Sequence, residues 1–268
     1  MSPDPSTDRL IAIGDLHGCA AELDALLNRL APTPADHLVF LGDYVDRGPD
    51  ARGVLDRCLA LRTAAQSGDG PACTFLRGNH EAMMLGARTE GGHTLENWLY
   101  NGGGATLLSY GHPEGLKPHK TQAGERPVDG WDALVPEAHW AFLAETEFWL
   151  DTPRYLFVHA GVAPGAPIAA TLQARPDRVL WERSHLAPGA DLSAWEKPVV
   201  CGHVETDDPV SLPKLVRLNT GAYRPYLTDE PGALTALVVA DGGTGDRAFV
   251  SVPSGFQPER TPTPSVRL

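Results

Sequence analysis

The chain has 268 residues, enough for one large domain or two small ones, with 22 Lys and Arg against 34 Asp and Glu and a formal charge of −12. That balance supplies no excess of cations for a protein that grips nucleic-acid phosphates, and 42% hydrophobic with 21% charged residues excludes a disordered chain or a fibre. Its longest apolar runs fall short of the ~18–20 residues that a membrane-crossing helix needs.

Other features point to the cytoplasm. Met1–Asp8 has neither the basic nor the apolar region of a secretory leader, so none is expected. Cys19, Cys58, Cys73 and Cys201 lack C-x-x-C spacing, so reduced thiols are expected.

The first third alternates strand and helix patterns. Leu10–Ile13 is a short apolar run ending at Gly14, as in a buried strand. Leu23, Leu26, Leu27 and Leu30 recur at helical spacing from Glu22, and Pro32 stops that helix. Leu38–Leu41 is a second strand run, closed by Gly42. Val54, Leu55, Cys58, Leu59 and Leu61 mark a second helix, which the Gly68–Pro71 stretch breaks. Cys73–Leu76 is a third strand, again leading to a glycine, Gly78. This order implies right-handed crossovers and a parallel sheet, with loops gathered at the carboxyl ends of its strands.

Residues 82–150 read as a mainly helical insertion or cap around a polar loop, Gly111–Gly130. Strand patterns return at Tyr155–Val158, Val199–Cys201, Leu215–Leu218, Leu234–Val239 and Ala248–Val252, and with few helices between them they suggest a second sheet packed on the first. One domain over residues 9–252 is expected, with a proline-rich tail, 253–268, poorly ordered. The fold class predicted is α/β, two sheets in a sandwich flanked by helices.

Each of the first three strands ends in a loop rich in metal-binding and phosphate-binding residue types: Gly14-Asp15-Leu16-His17-Gly18, Gly42-Asp43-Tyr44-Val45-Asp46-Arg47-Gly48 and Arg77-Gly78-Asn79-His80-Glu81. Two later strands end in histidine, at His159-Ala160-Gly161 and Gly202-His203. Asp15 and His17, one residue apart, would project to one side of an extended segment and reach one ion. Asp43, on the neighbouring strand, could bridge two ions, with Asn79, His159 and His203 completing the second. Mixed carboxylate, imidazole and amide donors suit manganese, iron or zinc better than calcium. Two ions ~3.5–4 Å apart clamp the attacking and leaving oxygens of an in-line phosphoryl displacement and acidify the water between them.

GDLHG, GDYVDRG and GNHE, followed by HAG and GH, resemble the phosphoprotein phosphatase branch of the calcineurin-like metallophosphoesterases, the compact bacterial and phage enzymes above all. The resemblance spans roughly residues 10 to 240. It implies Asp15 and His17 as first-metal ligands, Asp43 as the bridging carboxylate, and Asn79, His159 and His203 as second-metal ligands. It implies His80 as the proton donor to the leaving alcohol, oriented by Asp46. Arg47 matches a phosphate-binding arginine, and Arg183, in Leu180-Trp181-Glu182-Arg183, resembles a second. The cofactor implied is a pair of divalent ions, manganese first, with iron or zinc as alternatives. The partner implied is a phosphorylated protein or peptide, with no nucleic acid and no membrane.

The resemblance implies hydrolysis of phosphoserine or phosphothreonine, with phosphotyrosine open, through direct attack by a hydroxide shared between the two ions. A symmetrical dinucleoside-tetraphosphate hydrolase is the alternative, since those enzymes share most of the motifs. They tend towards GD-x-V-A-R-G and GNHD, whereas this chain carries Asp46 and Glu81 at the two distinguishing positions. A nucleotide phosphate leaves more readily than a serine alkoxide and needs less help from a charged acid pair, so Asp46 favours the phosphatase. Leu218-Asn219-Thr220-Gly221 stands where L-D-T-G is common, and Tyr223–Gly232 is lengthened, which concerns pocket shape rather than metal ligands. A non-catalytic scaffold would have lost ligands or the proton donor, and none is lost here.

Several residues have plainer readings. Asp46 could cap the helix that starts near Pro49 and Asp50, and Glu81 could complement the positive end of the helix after GNHE. Gly14, Gly42 and Gly78 read as turn formers. Trp98, Trp131, Trp140 and Trp149 read as packing, and the remaining six histidines as structural.

Overall fold

The structure, a computed structural model, describes residues 7–113 and 130–255. Most of the Gly111–Gly130 loop and of the tail lies outside the described residues. In chain order the elements are β1 (Arg9–Ile13), α1 (Ala20–Leu30), β2 (His37–Phe40), α2 (Ala51–Ser67), β3 (Ala72–Phe75), α3 (Asn79–Glu90), α4 (Gly92–Trp98), α5 (Gly104–Ser109), α6 (Glu137–Glu145), β4 (Trp149–Asp151), β5 (Leu156–Val158), α7 (Ile168–Ala174), β6 (Val199–Cys201), β7 (Val210–Ser211), β8 (Leu215–Arg217), α8 (Arg224–Leu227), β9 (Ala233–Ala240) and β10 (Arg247–Pro253).

Two five-stranded mixed sheets result, in the orders β10-β9-β1-β2-β3 and β4-β5-β6-β8-β7. The parallel β1-β2-β3 unit predicted from the alternating strand and helix patterns is present, with Ile13 opposite Phe40 and Phe40 opposite Phe75. Side chains alternate across β1. Leu10 and Ala12 join Val39, Phe157, Val200 and Val216 in the layer between the sheets, while Ile11 and Ile13 join Leu23, Leu26, Val54 and Leu55 under the helices. On the far side Val158, Val199 and Leu215 pack against Ile168, Leu172 and Trp195. A strand buried on both faces must be apolar throughout, which is why β1 reads as an unbroken run. Fully burying each Leu, Ile or Phe contributes roughly 1.5–3 kcal/mol.

Helix boundaries follow local chemistry. Asp50 caps α2, its Oδ1 accepting from Gly53 N at 2.8 Å, so Asp46 is free of that duty. Ala31 ends α1 in the left-handed region immediately before Pro32.

The later strands depart from the expectation of a separate second sheet. β9 and β10 belong to the first, with β9 antiparallel to β1 (Ile11 opposite Val238) and β10 antiparallel to β9. β2 covers only one edge of β1, and the buried backbone groups on the other edge need partners, which the returning chain supplies. β4 and β7, edge strands of three and two residues, were not predicted because each is part polar (Asp151, Ser211) and forms no apolar run like those of the similarly short β5 and β6. The described part of the middle section, 82–113 and 130–150, is mainly helical and ends in β4. Among the described residues no helix is long and apolar enough to cross a membrane.

Candidate active site

The strand-end loops lock together through their backbones. Leu16 N and His17 N both donate to Asp43 O, at 3.0 and 2.6 Å, and Gly18 N donates to Tyr44 O at 2.9 Å. Seven non-glycine residues among those described have positive φ, and five belong to this region: His17 (40°), Asp43 (52°), Asp46 (72°), Arg47 (70°) and His203 (61°). Such conformations cost of order 1–3 kcal/mol each and persist only where the surroundings over-determine them. With His17 left-handed, its segment is not extended. The strand alternation invoked for Asp15 and His17 therefore does not apply, because the chain leaves β1 at Ile13.

Asp43 lies at the centre. Its Oδ2 is 3.4 Å from His17 Nε2 and 3.4 Å from His159 Nε2. Each of these imidazoles donates its other nitrogen to a backbone carbonyl, His17 Nδ1 to Val45 O and His159 Nδ1 to Leu41 O, both at 2.9 Å. This fixes the tautomer and leaves Nε2 as a lone-pair donor facing Asp43. Asn79 Oδ1 lies 2.8 Å from His159 Nε2 and 2.9 Å from His203 Nδ1.

Two clusters of ligating atoms follow among the described residues, His17 with Asp43 and His80, and Asp43 with His159 and His203. Both contain Asp43. Burial lowers the His17 and His159 imidazoles and takes His203 down to about 3, so all three favour the neutral form that a ligand requires. Burial works against ionisation of Asp43, yet His159 and the other imidazoles around it outweigh that and hold its carboxyl well below the usual range. Neutral imidazoles, a shared carboxylate and an amide oxygen fit two divalent ions of the manganese, iron or zinc type.

Asp15 sits against the His203 loop and outside the compact first cluster. Its carboxylate accepts from His203 N at 2.9 Å and from Asn219 Nδ2 at 2.8 Å. Burial, then the nearby Asp43, push its carboxyl well above the usual range. His80 takes the place beside His17 and Asp43, its ring edge-on to His17 at 4.6 Å.

His80 Nδ1 meets Asp46 Oδ2 at 2.7 Å. Asp46 also accepts from Trp98 Nε1, 3.0 Å from each oxygen, and from Thr106 Oγ1 at 2.7 Å. Burial pulls the His80 imidazole down, but Asp43 and the hydrogen bond to Asp46 outweigh it, and its net shift is upward. An imidazole beside His17 and Asp43, with its Nδ1 held by Asp46 and its protonated form favoured, is placed to donate a proton there.

The arginines stand at the two ends of the cluster. Arg47 Nη1 lies 3.0 Å from His17 Nε2, and Arg183 Nε donates to His203 Nε2 at 2.9 Å. Arg77 does something else: its guanidinium binds Ala144 O at 2.7 Å and Thr146 O at 3.2 Å, holding the end of α6.

Glu81, expected only to complement its helix, is fully buried and accepts from Gly78 N, Asp43 N, Tyr44 N and Val45 N at 2.7–3.3 Å. It ties the second loop to the third. Its position three residues after Gly78 is the local signal that was available. Trp98 is core, as expected, tilted against Trp131 at 4.9 Å between ring centroids, but its indole N–H also serves Asp46. Trp98 and Thr106 are 52 and 60 residues from Asp46, and no local pattern links them. Of the three glycines read as turn formers, only Gly42 has positive φ, at 99°. At Gly78 the requirement is close approach, since a Cβ would collide with Asp43 Oδ1 and Asp43 N. Of the remaining histidines, His37 pairs with Thr74 and His139 with Tyr110 and Asp56, and His119 lies outside the described residues.

A two-sheet sandwich with carboxylate, imidazole and amide donors clustered at its strand ends is the architecture of a metallohydrolase. A family profile described as calcineurin-like phosphoesterase matches residues 8–213, and the chain belongs to that family of metal-dependent phosphoesterases. Over 92 residues it is 44% identical to a serine/threonine-protein phosphatase 1 of Salmonella typhimurium, covering 34% of this chain and 37% of that protein. Over 167 residues it is 34% identical to a symmetrical bis(5'-nucleosyl)-tetraphosphatase of Paracidovorax citrulli, covering 61% of this chain and 48% of that protein. Other curated relatives carry the latter name. The chain thus spans less than half the length of these relatives. The crystal structure of a cold-active protein-tyrosine phosphatase from a psychrophilic Shewanella species superposes with a TM-score of 0.57 at 16% identity, covering 92% of this chain and 83% of that one, a likeness of fold.

Proposed function

We propose that the protein is a metal-dependent phosphomonoesterase acting on phosphoserine and phosphothreonine in proteins, with phosphotyrosine a further acceptable ester. The observation that carries this reading is the buried Asp46–His80 pair, a charged acid provided for a poor alkoxide leaving group. His17 and Asp43 would hold one ion, joined by Asp15 once its carboxylate turns from the His203 loop, while His80 stays with Asp46; Asp43, Asn79, His159 and His203 would hold the other. Manganese is the first candidate. The ions, when bound, supply positive charge to the transferring phosphoryl group and make water more acidic.

The chain's own residues do the rest. Arg47 and Arg183 bind the phosphoryl oxygens through planar guanidinium donors and hold the group in line. Asp43, with its neighbouring imidazoles, keeps the donor cluster in register through the loop hydrogen bonds. The oxygen of a water molecule bonds to phosphorus as the ester P–O bond breaks, His80 gives its Nε2 proton to the leaving oxygen, and Asp46 holds the resulting imidazole in place through Nδ1. Phosphate and a free hydroxyl are the products. The four cysteines are unpaired, in keeping with a cytoplasmic enzyme.

A second reading, symmetrical dinucleoside-tetraphosphate hydrolysis, is favoured by the names of several relatives. Manganese-loaded protein offered a phosphothreonine peptide and diadenosine tetraphosphate side by side distinguishes the two. Faster turnover of the peptide is expected. Preference for the dinucleotide would replace the first reading with the second.

A further inference from the structure

Arg47 stands at the cluster without a carboxylate partner, and what surrounds it keeps it so. Its backbone is left-handed, at φ 70°, and its N–H donates to Gly102 O at 3.4 Å. Among the described residues no carboxylate lies within ion-pair distance of its guanidinium, whereas Arg9, Arg57, Arg62, Arg88 and Arg224 are each paired with one. What supports it instead is an aromatic face: the guanidinium carbon stands 4.6 Å from the centroid of the Tyr223 ring. The same ring meets His17 edge-on, 4.9 Å between centroids.

Tyr223 is itself anchored. Its hydroxyl donates to Glu205, whose other oxygen accepts from Arg224 Nε at 2.6 Å, and Arg224 Nη1 reaches Asp207 at 3.0 Å. The charge of Glu205 is thereby matched by Arg224 and kept off Arg47. An aromatic face attracts a cation without neutralising its N–H donors, whereas a carboxylate in that place would occupy the donors that an incoming anion needs.

We infer that Tyr223 is a positioning residue for Arg47: its ring, tethered by Glu205, holds the guanidinium in the phosphoryl pocket with Nη1 facing His17 and its other donors available. It therefore sets the site's affinity for the phosphoryl group. The inference rests on the reading of Arg47 as a phosphate-binding residue.

The test measures steady-state kinetics on a phosphothreonine peptide, the inhibition constant of inorganic phosphate, and metal content, all with manganese-loaded enzyme. Arg47→Ala is expected to raise both KM and the phosphate inhibition constant. Tyr223→Leu is expected to raise both about tenfold with kcat nearly unchanged, in the range of a partly desolvated cation–aromatic contact. Tyr223→Phe keeps the ring and is expected to recover most of that loss. The double variant Arg47→Ala/Tyr223→Leu is expected to be no worse than Arg47→Ala, because the two residues act through one guanidinium.

If Arg47→Ala raises the phosphate constant and Tyr223→Leu does not, the inference falls and the reading of Arg47 stands. If Arg47→Ala leaves the constant unchanged, the reading of Arg47 itself falls. Additive losses in the double variant, or loss of metal or of kcat alone in Tyr223→Leu, would make Tyr223 merely structural and overturn the proposal. Should Tyr223→Leu fail to fold, Glu205→Ala, which leaves the ring but removes its tether, is read in the same assay. An unchanged phosphate constant there would overturn the anchoring.

Discussion

His80 and Asp46 face each other at 2.7 Å, Nδ1 to Oδ2, with neither residue more than 1% exposed. Trp98 and Thr106 donate to the same carboxylate, so Asp46 receives three side-chain donors where an asparagine has one acceptor oxygen and two donors of its own. Asp46→Asn is therefore expected to lower kcat on a phosphoserine peptide by about 10²–10³-fold, the scale of general-acid catalysis. The loss on p-nitrophenyl phosphate, whose leaving group needs little protonation, is expected to be much smaller. An equal loss on both esters would reduce Asp46 to a packing residue.

Much of this site was legible in the sequence because its residues occur as contiguous loop motifs after apolar strand runs. His17, Asp43, Asn79, His159 and His203 stand in such motifs, and the structure brings them together. What was hidden is non-local. Trp98 and Thr106 reach Asp46 from the helical section, and Asn219 reaches Asp15 across 204 residues. Nor does residue type reveal the left-handed backbone at Arg47, which only the surrounding loops enforce. The apolar run Leu234–Val239 marks a strand but not which edge it pairs with, so the sheet membership of β9 and β10 was misjudged.

Asp43 is the residue common to both donor clusters. Asp43→Asn keeps the shape and removes the charge that both ions would share. Metal analysis of the loaded wild type is expected to return about two ions per chain, the number that two clusters imply, and of the variant fewer than one. Two ions in the variant would contradict a bridging role.

Glu81 satisfies four buried backbone N–H groups with one carboxylate. Glu81→Ala leaves all four without that acceptor, at a cost of about 3–5 kcal/mol once partial relaxation is allowed. Urea unfolding should register that loss, together with weaker metal binding as the Asp43 loop loosens. A change below about 1 kcal/mol would mean that the N–H groups find other partners.

His37 opens β2 at the end away from Asp43, 6% exposed, with Nε2 2.9 Å from Thr74 Oγ1. Burial lowers its imidazole to about 4. The unfolded chain, with an ordinary histidine near 6.5, takes up a proton that the folded protein refuses. Its contribution to stability is thus complete above pH 6.5 and declines as pH falls from there towards 4. By pH 5 the wild type should have lost about 2 kcal/mol of unfolding free energy through this residue relative to pH 7. His37→Gln, which retains a hydrogen-bonding group and cannot titrate, is expected to flatten that part of the profile. Urea unfolding at pH 5 and pH 7 checks it, and an identical slope in the variant would locate the acid sensitivity elsewhere.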